Sequence, residues 1–141
     1  MAVVGTEAKI TEALFTRLAA LSPAIPTAYP NVSFPAPPAV DRPDTYLQAS
    51  ILRAPTQSVG IAAWDEHAGI LQIDVVYKPQ DGELKPLQIA DSVAAWFARG
   101  TRMTNGSIQI DVYEPPQIAS MMADGDRFRI PVSVRYRSFI Q

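Results

Sequence analysis

RFRIPVSVRYR, residues 127–137, alternates from end to end. Phe128, Ile130, Val132, Val134 and Tyr136 fall on one side. Arg127, Arg129, Ser133, Arg135 and Arg137 fall on the other. In an extended chain successive side chains point to opposite faces, so the run reads as a strand with one face on a core and one toward water. Pro131 lies on the outward side but has no amide hydrogen. It therefore predicts an edge strand, or a bulge at that point.

Similar patterns recur upstream. GILQIDVVY, residues 69–77, is the strongest strand, with Leu71, Ile73, Val75 and Tyr77 on one face. TYLQASIL, from Thr45, turns Leu47, Ala49 and Ile51 one way, and Pro55 closes it. SIQIDVY places Ile108, Ile110 and Val112 inward. SVGIAAW reads as a short strand or turn, KPQDG as a turn, and PPQIASMMADGD as a loop. Two stretches have helical spacing instead. Ile10, Leu14, Leu18 and Leu21 form one stripe, with Thr6 as N-cap, Glu7 in the first turn and Pro23 as the stop. Leu87, Ala90, Val93, Ala94 and Phe97 form the other, with Pro86 at the first helical position and Gly100 after the end. The order helix, strands, helix, strands predicts an α+β domain: a mixed, mostly antiparallel sheet with two helices packed on one face.

Composition bounds the class. The 141 residues fit a single domain, residues 1–141. Such a chain buries roughly 65–70% of its unfolded surface, enough for a core. With 48% apolar and 18% charged residues the chain is of the globular type rather than the disordered type. A net charge of −2 points to neither a nucleic-acid binder nor a membrane-surface protein. Cysteine is absent, which removes disulfides, thiolate metal sites and cysteine catalysis. MAVVGTEAKITEAL lacks the pattern of an export signal, and no apolar run nears the roughly 20 residues that span a bilayer, so a soluble protein with no membrane partner is expected.

Chemistry-bearing motifs are scarce. The one histidine, His67, stands in WDEHAG. Asp65, Glu66 and His67 are adjacent, so they do not easily converge on one ion, and a solvated turn is the better reading. Ser58 and Ser92 have no histidine at a recognisable spacing. Asp74 and Asp111 invite a reading as paired carboxylates, but polar outward positions on half-buried strands explain them more simply. Trp64 and Trp96 read as packing residues rather than a platform for bases. No catalytic group, cofactor or metal is expected.

Two features remain. Residues 125–141 carry four arginines against Asp126, a local +3, which leaves −5 on residues 1–124 given the total of −2. The strip reads as an edge blunted by charge, or as a surface that meets the acidic part of a neighbouring copy or a partner protein. A nucleic-acid reading is weakest, since no lysine-rich loop or aromatic interleaving accompanies it. The other feature is AYPNVSFPAPPAVDRPD, where Pro30, Pro35, Pro37, Pro38 and Pro43 crowd one segment.

Several pieces, in order, resemble phage tail terminator proteins, the small tail-completion proteins of long-tailed phages. They are TEALFTRLAAL, YPNVSF at Tyr29–Phe34, TYLQASIL, HAGILQIDV at His67–Val75, IADSVAAWF at Ile89–Phe97, GTRM at Gly100–Met103 and IPVSVRY at Ile130–Tyr136. The resemblance implies a non-enzymatic virion protein, assembled in the host cytoplasm and located at the tail–neck junction. Such subunits close into a ring, typically of about six copies, on the head-proximal end of the tail tube. The ring stops tube polymerisation and offers a surface to the head connector or head-completion protein. DNA passes through its channel without sequence-specific binding. On this reading the proline-rich segment, about residues 30–43, is an extended arm held by a neighbouring subunit or the tail tube; proline has few unfolded conformations to lose and no amide donors to expose. Tyr29, Asn31, Phe34, Pro35, Pro37, Pro38, Arg129, Arg135 and Arg137 are then the expected contact residues. Another neck component, a head-completion or connector-adaptor protein, stays open as an alternative. So does a small ligand-binding α+β domain, which a pocket with convergent polar groups would favour.

Overall fold

The computed structural model describes residues 5–22, 24–34, 43–60, 63–79 and 82–140. Pro23, the prolines at 35, 37 and 38, and parts of the SVGIAAW and KPQDG turns lie outside them. The elements in chain order are α1 (Thr6–Ala19), β1 (Thr27–Ala28), β2 (Thr45–Arg53), β3 (Gln57–Val59), β4 (Trp64–Tyr77), α2 (Leu84–Trp96), β5 (Arg102–Asn105), β6 (Ile108–Val112), β7 (Gln117–Ile118), β8 (Met122–Asp124) and β9 (Arg127–Ile140). This is an α+β protein built on one large, mostly antiparallel sheet in the order β1-β2-β4-β9-β6-β5. The short β1 runs parallel to β2 and makes the sheet mixed.

The arginine-bearing strand is not at the edge. β4 runs along one side of β9 from Asp65↔Ile140 to Tyr77↔Phe128. Three short strands tile the other side: β8 at residues 127–129, β7 at 132–133 and β6 at 136–137. Pro131 therefore sits in the middle of the sheet, opposite Asp74. The tiling explains how. Between the pairs Ile118↔Val132 and Met122↔Arg129 the chain advances four residues on one side and three on the other. That extra residue is a bulge in the neighbouring segment, and it falls where proline offers no amide. The Pro131 carbonyl is still used, accepting from the Ala119 amide at 2.9 Å. The expected PPQIASMMADGD loop thus holds two short strands.

The core follows the alternation. Leu47, Ala49, Leu71, Ile73, Val75, Ile110, Val112 and the even-numbered residues from Ile130 to Tyr136 join Ile10, Leu14 and Leu18 of α1 and Ala90 and Val93 of α2 in one apolar cluster. Gly69 lies directly across from Tyr136. A Cβ there would stand 2.6 Å from the Tyr136 hydroxyl and from the Leu52 carbonyl oxygen. The glycine thus makes room for the tyrosine ring, a use of glycine inside a strand that close approach dictates.

The helix boundaries differ from expectation. Gly5, not Thr6, precedes α1, and no side chain caps it. α2 starts two residues before Pro86. Proline fits there because the first four amides of a helix have no partner within the helix. α2 also ends before Gly100, whose amide donates to the Val112 carbonyl in the turn to β5. The two helix C-termini serve each other. Arg17 donates twice to the Trp96 carbonyl, at 2.7 and 3.1 Å, and Trp96 Nε1 donates to the Arg17 carbonyl at 2.7 Å. The guanidinium also stacks over the indole at 4.3 Å. The Arg17 bonds satisfy the Trp96 carbonyl, which the helix end leaves free. The indole adds a second donor to the Arg17 carbonyl, which also accepts from the Ala20 amide at 3.1 Å, and the exchange makes Trp96 a packing residue.

Candidate interaction surface

Both ends of the proline-rich segment rest on this chain's own body. Tyr29 packs on Phe15, with ring centroids 5.1 Å apart. Asn31 takes a left-handed φ of 57° in an exposed turn, a conformation asparagine tolerates better than most residues. Phe34 packs on Tyr46 at 5.0 Å. On the far side, Arg127 donates to the carbonyls of Pro43 and Asp44 at 2.6 and 2.9 Å and lies over the same Tyr46 ring. Tyr46, on the sheet face opposite the core, is thus the common anchor of both ends. Of the residues expected on the arm, Tyr29 and Phe34 are tied to the body, and Pro35, Pro37 and Pro38 lie outside the described residues.

The arginines of β9 share that outward face but have different surroundings. Arg129 Nη1 donates to Asp74 at 2.6 Å, and Nη2 pairs with Asp124. Its side chain is only 20% exposed. Burial alone would lower the Arg129 pKa; the hydrogen bonds to Asp124 and Asp74 outweigh it and raise the pKa above the ordinary value. Arg135 Nε is 3.4 Å from Glu114, both well exposed. Arg137 lies over Tyr113 at 4.8 Å and Phe139 at 5.4 Å.

The acid–base candidates do not assemble. Asp65, Glu66 and His67 belong to β4, not to a turn, because the strand begins five residues earlier than its strongest alternation. Their side chains therefore alternate between faces. His67 Nδ1 lies 2.8 Å from Glu7 of α1, and Arg53 Nε reaches the other oxygen of Glu7 at 3.5 Å. Burial first, then the Glu7 charge, pushes the nearby Tyr136 phenol up to about 12. Asp74 and Asp111 share a face, but their β9 neighbours, Pro131 and Arg137, are six residues apart, roughly 20 Å along a strand. Asp74 serves Arg129, and Asp111 accepts from Arg102 at 2.9 Å. Ser92 donates to the Gln88 carbonyl, and Ser58 is exposed on β3. Among the described residues no group of three or more His, Asp or Glu side chains is placed to hold a metal ion.

Two open grooves flank α1. One, of about 420 Å³, is lined by Arg17, Trp96, Arg102 and Asn105 among others. Its charged and amide groups are engaged within the chain: Arg17 with Trp96, Arg102 with Asp111, and Asn105 with the Lys9 carbonyl and Glu12. The other, of about 500 Å³, lies between Phe15 and Ala19 of α1 and Tyr29, Pro30 and Val32, and is mostly apolar.

Sequence reasoning missed the Tyr46 anchor and the aromatic setting of Arg137. The signal for the second was present: the alternation of β9 continues through Arg137 to Phe139. Tyr113 follows β6 and Trp64 opens β4; only the sheet order brings Tyr113 to Arg137 and Trp64 beside Phe139.

Comparison with known proteins bears on this surface. The sequence profile described as "Phage tail terminator protein" matches residues 9–136. One solved chain superposes with a TM-score of 0.75 at 26% identity, covering 98% of this chain and 99% of that one. A chain from a structure titled "Virion of native gene transfer agent (GTA) particle" superposes with a TM-score of 0.62 at 16% identity, covering 93% of this chain and 95% of that one, and shows the shared fold. No curated protein sequence matches. The profile runs from the first turn of α1 to Tyr136 in β9, and on that ground the chain belongs to the phage tail terminator family, structural proteins of the virion tail.

Proposed function

We propose that this chain is the terminator subunit of a tail, closing as a ring of about six copies on the head-proximal end of the tail tube. The ring ends tube polymerisation, presents a surface to the head connector or head-completion protein, and leaves a channel for DNA that it does not read. It performs no catalysis. The observation that carries this reading is the family match across residues 9–136, nearly the whole chain. In the same reading both helices lie on one face of the sheet, and the opposite face and the proline-rich arm meet other subunits.

The contact set comprises Tyr29, Asn31, Phe34, Pro35, Pro37, Pro38, Arg129, Arg135 and Arg137. Within it Arg135 and Arg137 have the more accessible donors, whereas Arg129 is already held by two carboxylates. The test is complementation of a phage that lacks the gene. Particles should contain the chain at the tail–head junction, and its loss should give overlong tails that do not join heads. A stable monomer absent from purified virions would overturn the reading.

A further inference from the structure

We propose, building on the tail-terminator reading, that Arg137 and the aromatic residues around it form the contact with a second copy of this chain, and that a carboxylate of that copy seats on the Arg137 guanidinium. Arg137 stands directly across from Asp111 on the same sheet face. A cross-strand Arg–Asp pair ordinarily attracts, yet these two do not bond. Asp111 is taken by Arg102 from the far side, at 2.9 Å. Arg137 leans along its strand onto Tyr113 and Phe139 instead. It is the one arginine of the strip with no hydrogen bond or ion pair among the described residues; Arg127, Arg129 and Arg135 each have an oxygen partner. The two rings hold the guanidinium in place, and its N–H fork has no oxygen acceptor among the described residues. That is the preorganised form in which arginine takes a carboxylate through two parallel hydrogen bonds.

The surroundings have the composition of an interface centre. Trp64 is 39% exposed, Phe139 41% and Leu52 57%, three of the seven large hydrophobics left exposed among the described residues. Register places all three on the outward face with Arg137, since Glu66↔Phe139, Ala68↔Arg137 and Leu52↔Ile70 are cross-strand pairs. A cleft of about 290 Å³ opens beside Trp64 and Phe139, between them and the β6 residues Gln109 and Asp111. Exposed aromatic residues grouped around an arginine mark an interaction site more often than bare solvent surface.

Charge selects a second copy as the occupant. The chain carries −5 on residues 1–124 against +3 on residues 125–141. The carboxylates of Asp65, Glu66, Glu83 and Asp91 form no ion pair among the described residues, so each copy offers its neighbour free acids. Glu83 and Asp91 belong to the α2 segment, not to the Arg137 surface. A contact between them is head-to-tail, the kind that closes rings.

Arg137→Lys supplies the test, because its amine can be coupled to a touching carboxylate by a zero-length carbodiimide. Particles are assembled from a mixture of 14N- and 15N-labelled chains carrying this substitution, treated, digested and read by mass spectrometry. The expected product is a peptide joining the introduced amine to an Asp or Glu of the other isotope. In parallel, Arg137→Glu should lower incorporation into particles at least about tenfold while the free chain keeps its thermal midpoint. A cross-link confined to one isotope within one chain, or made only to another virion protein, overturns the proposal. So does normal incorporation of Arg137→Glu, or an Arg137→Glu chain that assembles normally but loses salt-sensitive binding to duplex DNA. A wild-type chain missing from particles is a different result: it overturns the tail reading itself, and this contact with it.

Discussion

Arg129 and Asp74 meet at 2.6 Å on the face of the sheet that points away from the core, and Asp74 is nevertheless buried there. The pair lies on a diagonal of the β4–β9 ladder, since Arg129 faces Val76 and Asp74 faces Pro131. Asp124 closes the site from β8 and Gln48 from β2. Arg129→Met leaves the Asp74 carboxylate buried without its cation, a change that costs about 3–5 kcal/mol. Arg135→Ala removes a largely exposed pair with Glu114, worth no more than about 0.5 kcal/mol. Urea denaturation of the two variants should separate them clearly. Equal stabilities would mean that Arg129 does not support the fold.

The close approach of Gly69 to Tyr136 gives a second expectation. Gly69→Ala brings a methyl group to 2.6 Å from a backbone oxygen and from the tyrosine hydroxyl. The Leu52 carbonyl belongs to a paired strand and does not move freely. Overpacking of this kind costs about 1–3 kcal/mol, even though alanine is otherwise the less entropically demanding residue. A chemical-denaturation midpoint at or above the wild-type value would contradict the packing account. Combining Gly69→Ala with Tyr136→Leu should recover part of the loss.

Tyr136 also makes stability depend on alkaline pH. Its phenol is pushed up to about 12 in the folded chain, chiefly by burial, against about 10 when unfolded. The folded pKa is the higher one, so the folded state holds the proton more tightly. The contribution is complete below about pH 10 and is lost as pH rises toward about 12, on the order of 3 kcal/mol in all. Burial raises Tyr29 and Tyr77 as well, so they add to the same decline. Thermal midpoints measured from pH 8 to 11.5 should fall above pH 10. Tyr136→Phe should flatten part of that fall; an unchanged slope would remove Tyr136 as its source.

The helix ends are joined through two side chains, which gives a mild and specific test. Trp96→Phe keeps an aromatic ring under Arg17 but removes the Nε1 donor to the Arg17 carbonyl. Loss of one such bond, to a carbonyl that keeps the Ala20 amide as donor, costs about 0.5–1.5 kcal/mol. Arg17→Lys loses the paired donation to the Trp96 carbonyl and should cost a similar amount. The double variant should cost less than the sum, since both act on one linked pair.

Strand periodicity was the most legible part of this chain. Residues 47–51, 71–77, 108–112 and 128–136 alternate, and the structure buries the side that the alternation selects. Strand position was not legible. Pro131 predicts an edge when read alone; its central place depends on a bulge between Ile118 and Met122, in a segment with little pattern of its own. The early start of β4 was hidden for a related reason. Trp64–Ala68 gains its strand character from pairing with β3 and the end of β9, not from alternation. The arginines were visible as outward residues. Which of them is buried and paired depends on Asp74, Asp124, Tyr113 and Phe139, and only the assembled sheet puts these within reach.

The proline-rich segment can be tested by shortening it. Phe34 on one side, and Pro43 and Asp44 on the other, are fastened around Tyr46 and Arg127. Deleting Pro35 to Ala39 removes none of these anchors and no residue of the apolar stripes read in the sequence. Loop length affects stability only logarithmically, about 0.6 kcal/mol per doubling, so the shortened chain should keep its fold and nearly its melting temperature. Its effect on assembly should be much larger if a neighbouring subunit or the tail tube holds the arm. Electron microscopy of complemented particles should then show overlong tails, or tails that fail to join heads. A second variant, Phe34→Ala, frees one end of the segment from Tyr46 without shortening it. It should weaken assembly less than the deletion, because the contacting residues remain and only their placement loosens. Normal tails from both variants would mean that no neighbour holds the segment.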